Sequence, residues 1–183
     1  MEVIGIVLVI ASAVLLIGLI WYISTSNTLN KTIVKIKESE SGIDIALEKR
    51  YDVLIKMQDV VKAYSKHEEE TLTEAIKLRQ GMSIKEKQNV DNKITEMFGK
   101  LNLVVENYPD LKASQNYNTL QLSIVDTEEH LQAARRVYNS NISRFNQMIV
   151  TFPTSIISNS KGMILKDFYK VDELKKQDIQ INL

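Results

Sequence analysis

VIGIVLVIASAVLLIGLIWYI, residues Val3–Ile23, carries no charged side chain and decides how the rest of the chain is placed. At 1.5 Å of rise per residue this stretch reaches roughly 31 Å as a helix, which is close to the thickness of a bilayer's hydrocarbon core. Backbone amides inside lipid must pair with one another, and a helix achieves this. Trp21 and Tyr22 stand at the C-terminal end, where aromatic rings favour the headgroup level. The stretch therefore predicts a single membrane-spanning anchor whose partner is the lipid bilayer.

The basic residues around this stretch predict its orientation. Lys31, Lys35 and Lys37 follow it, whereas only the terminal amino group and Glu2 precede it. Because an excess of lysine and arginine stays on the cytoplasmic side, we expect a single-pass protein with its N-terminus outside and its remainder in the cytoplasm. The alternatives are the opposite orientation and a signal peptide cleaved at a serine just after the apolar stretch.

Composition excludes several classes of protein. The chain has 183 residues with 23 Lys+Arg against 23 Asp+Glu, and the two signs are interspersed, so no basic stripe indicates nucleic-acid binding. The absence of cysteine excludes disulfides, thiolate zinc sites and catalytic thiols. Two prolines and six glycines are few helix breakers, which favours long helices. We predict an all-α protein with residues 1–30 as anchor and juxtamembrane segment and residues 31–183 as one helical bundle domain with a C-terminal tail.

The bundle is predicted to contain three long antiparallel helices. Apolar residues recur at three- and four-residue spacing from residue 31 to residue 80, which predicts a first helix that ends before Gly81. Ser83-Ile84-Lys85-Glu86 is a capping box that opens a second helix, predicted to run to Asn107. A two-residue link between these helices predicts that the second folds back antiparallel to the first.

The remaining helices are bounded by proline and by capping residues. Pro109 ends the second helix, and Ser114 or Asn116 caps a third helix that runs to about Phe152. After Pro153, residues 154–158 are predicted as a short fourth helical segment, with Ile156 and Ile157 covering an end of the bundle.

Charged residues interrupt the apolar stripe of the first predicted helix. Arg50 occupies a stripe position, and so do Glu40 and Glu68. Burying such a charge is costly unless it is paired. One interpretation is an ion pair with Glu128 or Asp126 that sets the register between helices, and the other is a polar groove that docks a partner. The candidate docking or register cluster comprises Asp44, Arg50, Tyr51, Asp52, Tyr64 and His67.

Several blocks of the sequence resemble the LemA family of bacterial membrane-anchored helical proteins. The matching blocks are Ile43–Leu54, Val60–Glu68, Glu106–Ala113, Thr127–Asn139, Phe145-Asn146, Phe152-Pro153 and Phe168-Tyr169. One departure is Ile55, where the family usually has a proline soon after its Arg-Tyr-Asp motif. The resemblance implies an all-helical domain on one transmembrane helix in the bacterial cell membrane, usually thought to face the cytoplasm. It implies no reaction.

The sequence lacks the common motifs of enzymes and metal sites. His67 and His130 form no His-x-x-x-His pair, and the Glu-x-x-His pairs of di-iron bundles are absent. No glycine-rich phosphate loop or nucleophile elbow is present. We therefore expect no catalytic residue, no cofactor, no metal and no small-molecule substrate.

The predicted function is that of a non-catalytic, membrane-anchored helical scaffold or adaptor. Its expected partner is an unidentified protein, a second copy of the chain among the candidates. The alternative is an accessory subunit of a membrane-associated peptidase or envelope stress system, which rests on the resemblance because genes of the family often neighbour such systems. A transmembrane sensor is disfavoured because only Met1 and Glu2 precede the apolar stretch.

Overall fold

The computed structural model describes residues 2–64, 78–79 and 81–170. Helices α1 (Glu2–Tyr64), α2 (Ile84–Val105), α3 (Pro109–Lys112), α4 (Gln115–Val150) and α5 (Thr154–Ser160) account for most of these residues. No strand occurs in this described part of the chain. The predicted all-α fold is confirmed.

Helix α1 begins with the apolar stretch that opens the sequence. Its side chains from Val3 to Ile20 are all exposed, and Trp21 and Tyr22 are 37% and 45% exposed. Among the described helices, α1 is the one long and apolar enough to cross a membrane, by length and composition. The same helix continues without interruption to Tyr64.

The capping signals act where the sequence predicts them. The hydroxyl of Ser83 accepts from the amide of Glu86, and the Glu86 carboxylate accepts from the Ser83 amide at 2.7 Å, so the capping box is confirmed. At the start of α4, the hydroxyl of Ser114 accepts a hydrogen bond from the amide of Tyr117 at 3.2 Å. A cis peptide bond joins Phe152 to Pro153, directly before α5.

The first helix does not extend to residue 80 as predicted. It is described from Glu2 to Tyr64, and Leu78 and Arg79 are not helical, so the prediction is wrong for these two residues. The rest of that predicted extension, residues 65–77 and 80, lies outside the described residues. Gly81 adopts a φ of 77°, a left-handed conformation that favours glycine.

The chain divides into two compact units. Unit 1 contains Met1–Glu38 and Ser140–Asp167, and unit 2 contains Ser39–Asn139 and Phe168–Leu183. This division follows packing, and the predicted boundary at residue 30 between anchor and bundle stays a prediction.

Unit 2 has its apolar core between α1, α2 and α3. Leu54, Met57, Ile94, Leu101 and Leu111 are each fully buried there. Their spacing of three, four or seven residues within each long helix places them on one face. The partly buried Tyr117, Leu120 and Ile124 of α4 pack against the same cluster.

The direction of α2 in unit 2 differs from the prediction. Lys87 contacts Glu40 and Asp44, whereas Arg50, farther along α1, contacts Asp91 and Thr95, farther along α2. Helices α1 and α2 therefore run parallel, and the predicted antiparallel turn between them is wrong. The prediction assumed a helix up to residue 80 and a two-residue link, whereas Leu78 and Arg79 are not helical.

Helix α4 runs antiparallel to its neighbours, as predicted. In unit 2, Arg135 contacts Asp91 while Tyr117 and Gln121 contact Asn102, farther along α2. In unit 1, Asn141 donates to the carbonyl of Lys35, and Met148 accepts from Thr32, earlier in α1. In both units, residues later in α4 contact residues earlier in the neighbouring helix, which is the antiparallel arrangement.

Candidate functional site: a buried ion-pair network

Arg50 enters the core of unit 2 because of its position on α1. It lies seven residues after Ile43 and four before Leu54, so it shares their buried face. Its side chain is 4% exposed. A guanidinium in such a position requires partners, because an isolated buried charge is very unfavourable.

Asp91 of α2 is the carboxylate at the centre of these partners. One carboxylate oxygen pairs with Arg50 and the other with Arg135 of α4, both in direct contact. Thr95, one turn further along α2, accepts a second guanidinium hydrogen bond from Arg50 at 3.0 Å. Asp91 thus links α1 to α4 through α2.

Glu128 of α4 supplies the second negative charge. Its carboxylate lies 2.8 Å from Nη2 of Arg50 and 3.8 Å from Nη1 of Arg135. With Asp91 it balances the two arginines, so the charges sum to zero. An ion pair of Arg50 with Glu128 was one of the two pairings expected from the sequence. The other candidate, Asp126, instead pairs at the surface with Lys49 at 2.7 Å.

Aromatic rings cover the two guanidinium groups. Arg135 lies over the ring of Tyr169 at 5.0 Å from its centroid, and Arg50 lies 5.9 Å from the ring centroid of Phe98. Such cation–π contacts are strongest where the cation is desolvated, as it is here. The Nε atoms of both arginines are buried without a hydrogen-bond partner among the described residues.

Tyr169 closes the network from the C-terminal tail. Its ring is buried, and its hydroxyl lies 3.3 Å from Asp91. Asn139 of α4 fixes its backbone by accepting from the Tyr169 amide and donating to the Tyr169 carbonyl, each at 2.8 Å. Burial raises the pKa of the phenol, and the negative charge of Asp91 raises it further, so Tyr169 stays a hydrogen-bond donor. We call Arg50, Asp91, Glu128, Arg135 and Tyr169 the Asp91 network.

A second buried cation lies one turn before Asp91 on α2. The side chain of Lys87 is 3% exposed, and its Nζ lies 2.7 Å from Asp44 and 3.1 Å from Glu40. Both carboxylates are on α1, so this triad ties α1 to α2. Glu40, an interruption of the apolar stripe, is thereby paired.

The structure brings together only some of the residues predicted for the candidate cluster. Arg50 belongs to the Asp91 network and Asp44 to the Lys87 triad. Tyr51 is partly buried against the apolar core, Asp52 is exposed, and Tyr64 is 47% exposed at the end of α1. His67 lies outside the described residues. Whether this cluster serves docking stays a prediction.

Sequence reasoning missed Lys87, Asp91 and Arg135 as members of a site. A signal for each was present, because each interrupts an apolar row as Arg50 does. Lys87 and Asp91 are one turn apart and share the face of Ile94, while Arg135 follows the buried Leu131 by four residues. The pairing among them could not be read from spacing within one helix.

The Asp91 network is a set of ion pairs between helices. Each charged side chain of the Asp91 network contacts another member of it, and Glu128, with a side chain 27% exposed, is the most accessible of the four. Among the described residues there is no group of three or more His, Asp or Glu side chains that could hold a metal ion. The site can fix the register of α1, α2 and α4 and hold the tail against them.

These features define a class of protein, a helical bundle that follows an apolar helix of membrane-spanning length and encloses paired charges. The family model described as LemA family matches residues 39–183. The chain belongs to the LemA family, as the sequence motifs predicted.

Two curated relatives are similar to the chain. Protein LemA of Metamycoplasma hominis is 31% identical over 178 residues, which cover 91% of this chain and 79% of the relative. Magnetosome protein MamQ of Magnetospirillum gryphiswaldense is 24% identical over 71 residues, which cover 39% of this chain and 26% of that protein.

Proposed function

We propose that this protein is a non-catalytic scaffold or adaptor, anchored in a bacterial cell membrane by Val3–Ile23 with its N-terminus outside and its bundle in the cytoplasm. The observation that carries this proposal is the continuity of α1. One helix contains the exposed apolar stretch and, without a break, supplies Arg50 to the Asp91 network. Membrane attachment and bundle architecture therefore belong to the same element.

Full exposure of the apolar stretch supports the anchor. Val3, Leu15 and Ile20 are 74%, 74% and 67% exposed, a state that water disfavours and hydrocarbon accepts. The lysines that follow the stretch support a cytoplasmic bundle.

Exposed apolar side chains on α4 support a role in protein binding. Leu122 and Val125 of unit 2 are 74% and 56% exposed and lie on one helix face, three residues apart. Neither side chain belongs to the buried core of unit 2, so this face is open to a partner. A second copy of the chain and an unrelated protein are both candidates.

Two measurements on cells that produce the full chain test the anchor and its orientation. The protein should resist alkaline carbonate extraction and dissolve in detergent. Because the chain has no cysteine, Glu2→Cys and Lys93→Cys each create a single labelling site. A membrane-impermeant maleimide should label Glu2→Cys on intact cells, and Lys93→Cys only after permeabilisation. Extraction by carbonate would refute the anchor, and the reverse labelling pattern would refute the orientation.

Photo-crosslinking tests the scaffold. A photoreactive residue at Leu122, Val125 or Tyr64 should capture the same protein repeatedly, whereas one at the exposed polar Lys93 should not. Capture of a second copy identifies a self-assembling scaffold, and capture of a membrane-associated peptidase identifies the accessory-subunit alternative. Absence of any adduct from all three positions would refute the docking role.

A further inference from the structure

Unit 1 exposes a concentration of large apolar side chains where α4 ends and α5 follows. Phe152 and Ile156 are 76% and 57% exposed, and Ile164, just past α5, is 78% exposed. Val150 and Leu165 are exposed as well. We call these five residues the α4–α5 patch. The sequence predicted that Ile156 and Ile157 would cover an end of the bundle, which is right for the buried Ile157 and wrong for Ile156.

Contacts within unit 1 fix the position of this patch along α1. Nζ of Lys161, directly after α5, contacts the hydroxyl of Ser26. Thr32 contacts Met148, two residues before Val150, and α4 runs from there back toward the start of α1. The α4–α5 patch therefore lies level with the first helical turns that follow Ile23, the last residue of the apolar stretch.

The distance from the apolar stretch matches the thickness of a membrane interface. Ser26 is three residues beyond Ile23, which is about 4.5 Å along a helix. The headgroup region adds roughly 5–7 Å to each side of a hydrocarbon core. Side chains of the size of Phe152 and Ile156, extending from this level, reach the boundary between headgroups and acyl chains.

Hydrogen bonds hold this end of unit 1 in one conformation. The buried hydroxyl of Ser158 donates to the carbonyl of Ile149 at 2.8 Å. Asn146 accepts from the Lys166 amide and donates to the Lys166 carbonyl, each at 2.9 Å. The exposed apolar side chains are thus presented by an ordered support.

We propose that the α4–α5 patch is a second membrane contact, in which Phe152, Ile156 and Ile164 enter the interface of the bilayer that α1 crosses. Nζ of Lys161, which contacts Ser26 at this level, adds a positive charge that can attract lipid phosphates. The proposal rests on the membrane anchor proposed above. It adds that the α4–α5 end of unit 1 contacts the membrane surface beside the spanning stretch of α1.

Depth-resolved fluorescence tests this contact on the full chain in vesicles of phosphatidylcholine and phosphatidylglycerol. Single cysteines replace Phe152 or Ile156, each labelled with an environment-sensitive dye. Ser140→Cys is the control in unit 1, because Ser140 is exposed and adjoins Asn141, which contacts Lys35, about 18 Å beyond Ile23 along α1. Ala13→Cys, inside the apolar stretch, reports whether α1 has inserted. Quenching is measured with lipids brominated near the glycerol end of the acyl chain.

We expect blue-shifted emission and several-fold stronger quenching at residues 152 and 156 than at residue 140. Quenching at residue 13 without quenching at residues 152 and 156 would overturn the second contact and leave the anchor standing. Absence of quenching at residue 13 would overturn the anchor, and the second contact with it. A blue shift at residue 152 that brominated lipid leaves unchanged, with disulfide crosslinking of the unlabelled Phe152→Cys chain to itself, would assign the patch to a second copy.

Discussion

The phenol of Tyr169 reaches the carboxylate of Asp91 at 3.3 Å, across a sequence separation of 78 residues. The same carboxylate holds Arg50 and Arg135. A single side chain of α2 therefore connects α1, α4 and the C-terminal tail.

Removal of Arg50 should destabilise the fold strongly. Arg50→Leu leaves Asp91 and Glu128 with one buried arginine between them, and breaking a buried pair in this way costs about 3–5 kcal/mol in the free energy of unfolding. Circular dichroism during denaturation of the full chain in detergent micelles measures the loss. Lys49→Leu is the matched control, since its ion pair with Asp126 is exposed and should contribute little. Equal effects from the two substitutions would contradict a buried network.

Replacing both Arg50 and Asp91 should lower the free energy of unfolding by less than the sum of the two single substitutions. Asp91→Leu leaves both arginines short of a carboxylate, but in the double variant with Arg50→Leu the remaining charges, Glu128 and Arg135, still balance. We expect the double variant to be more stable than additivity requires by about 1–3 kcal/mol. Arg50→Leu combined with Ser83→Ala should be additive, because these residues share no contact partner. Additivity in both pairs would argue against direct coupling.

Tyr169 should stabilise the tail through its hydroxyl and through its ring separately. Tyr169→Phe removes one hydrogen bond to a charged group and should cost about 1–2 kcal/mol. Tyr169→Ala also removes the ring that covers Arg135 and should cost about 3–5 kcal/mol. Tryptic cleavage at Lys170 and Lys166 should be markedly faster in the alanine variant than in the phenylalanine variant. Equal cleavage rates in the two variants would show that the ring does not hold the tail.

The hydroxyl of Tyr169 also predicts a pH dependence. Its folded-state pKa is raised above the ordinary value of 10.0, so its stabilisation is fully present below pH 10 and declines as the pH rises above that value. The difference in free energy of unfolding between the wild type and Tyr169→Phe should therefore be constant from pH 7 to about pH 9 and shrink in stronger base. A difference that grows with pH would contradict the buried, protonated phenol.

The capping box of α2 predicts a pH dependence in acid. Ser83→Ala should lower the free energy of unfolding by about 1 kcal/mol at neutral pH. Hydrogen bonds from the amide and hydroxyl of Ser83 hold the pKa of Glu86 below its ordinary 4.5. This stabilisation is present above pH 4.5 and is lost as the pH falls through the folded-state pKa, so the difference between wild type and variant should narrow in acid. In a Glu86→Gln background, which has no carboxyl to titrate at this position, the effect of Ser83→Ala should not narrow in acid.

Local features of this fold could be predicted from the sequence, because their causes lie within a few residues. The apolar stretch, the Ser83 cap, the start of α4 near Ser114 and the proline before α5 all follow from neighbouring side chains. The sequence motifs around Arg50 also indicated membership of the LemA family. These signals need no knowledge of what lies across the core.

The features that the sequence did not predict depend on distant parts of the chain. The parallel course of α1 and α2 is shown by contacts of Lys87 and Arg50 between the two helices, which the apolar periodicity within each helix does not reveal. Arg50 could be recognised as a buried charge that needs a partner. Asp91 likewise interrupts an apolar row, but on another helix, and nothing in the sequence links the two. Charge and spacing identify both residues as unusual, whereas only packing identifies them as a pair.

Besides the contacts of the Tyr169 side chain, the side-chain amide of Asn139 bonds both the N–H and the C=O of the Tyr169 backbone. Attachment of this kind is indifferent to which residues flank the tyrosine. Phe168 can therefore change with little effect on where the tail runs, and this position can acquire new surface chemistry by mutation while the path of the chain stays the same.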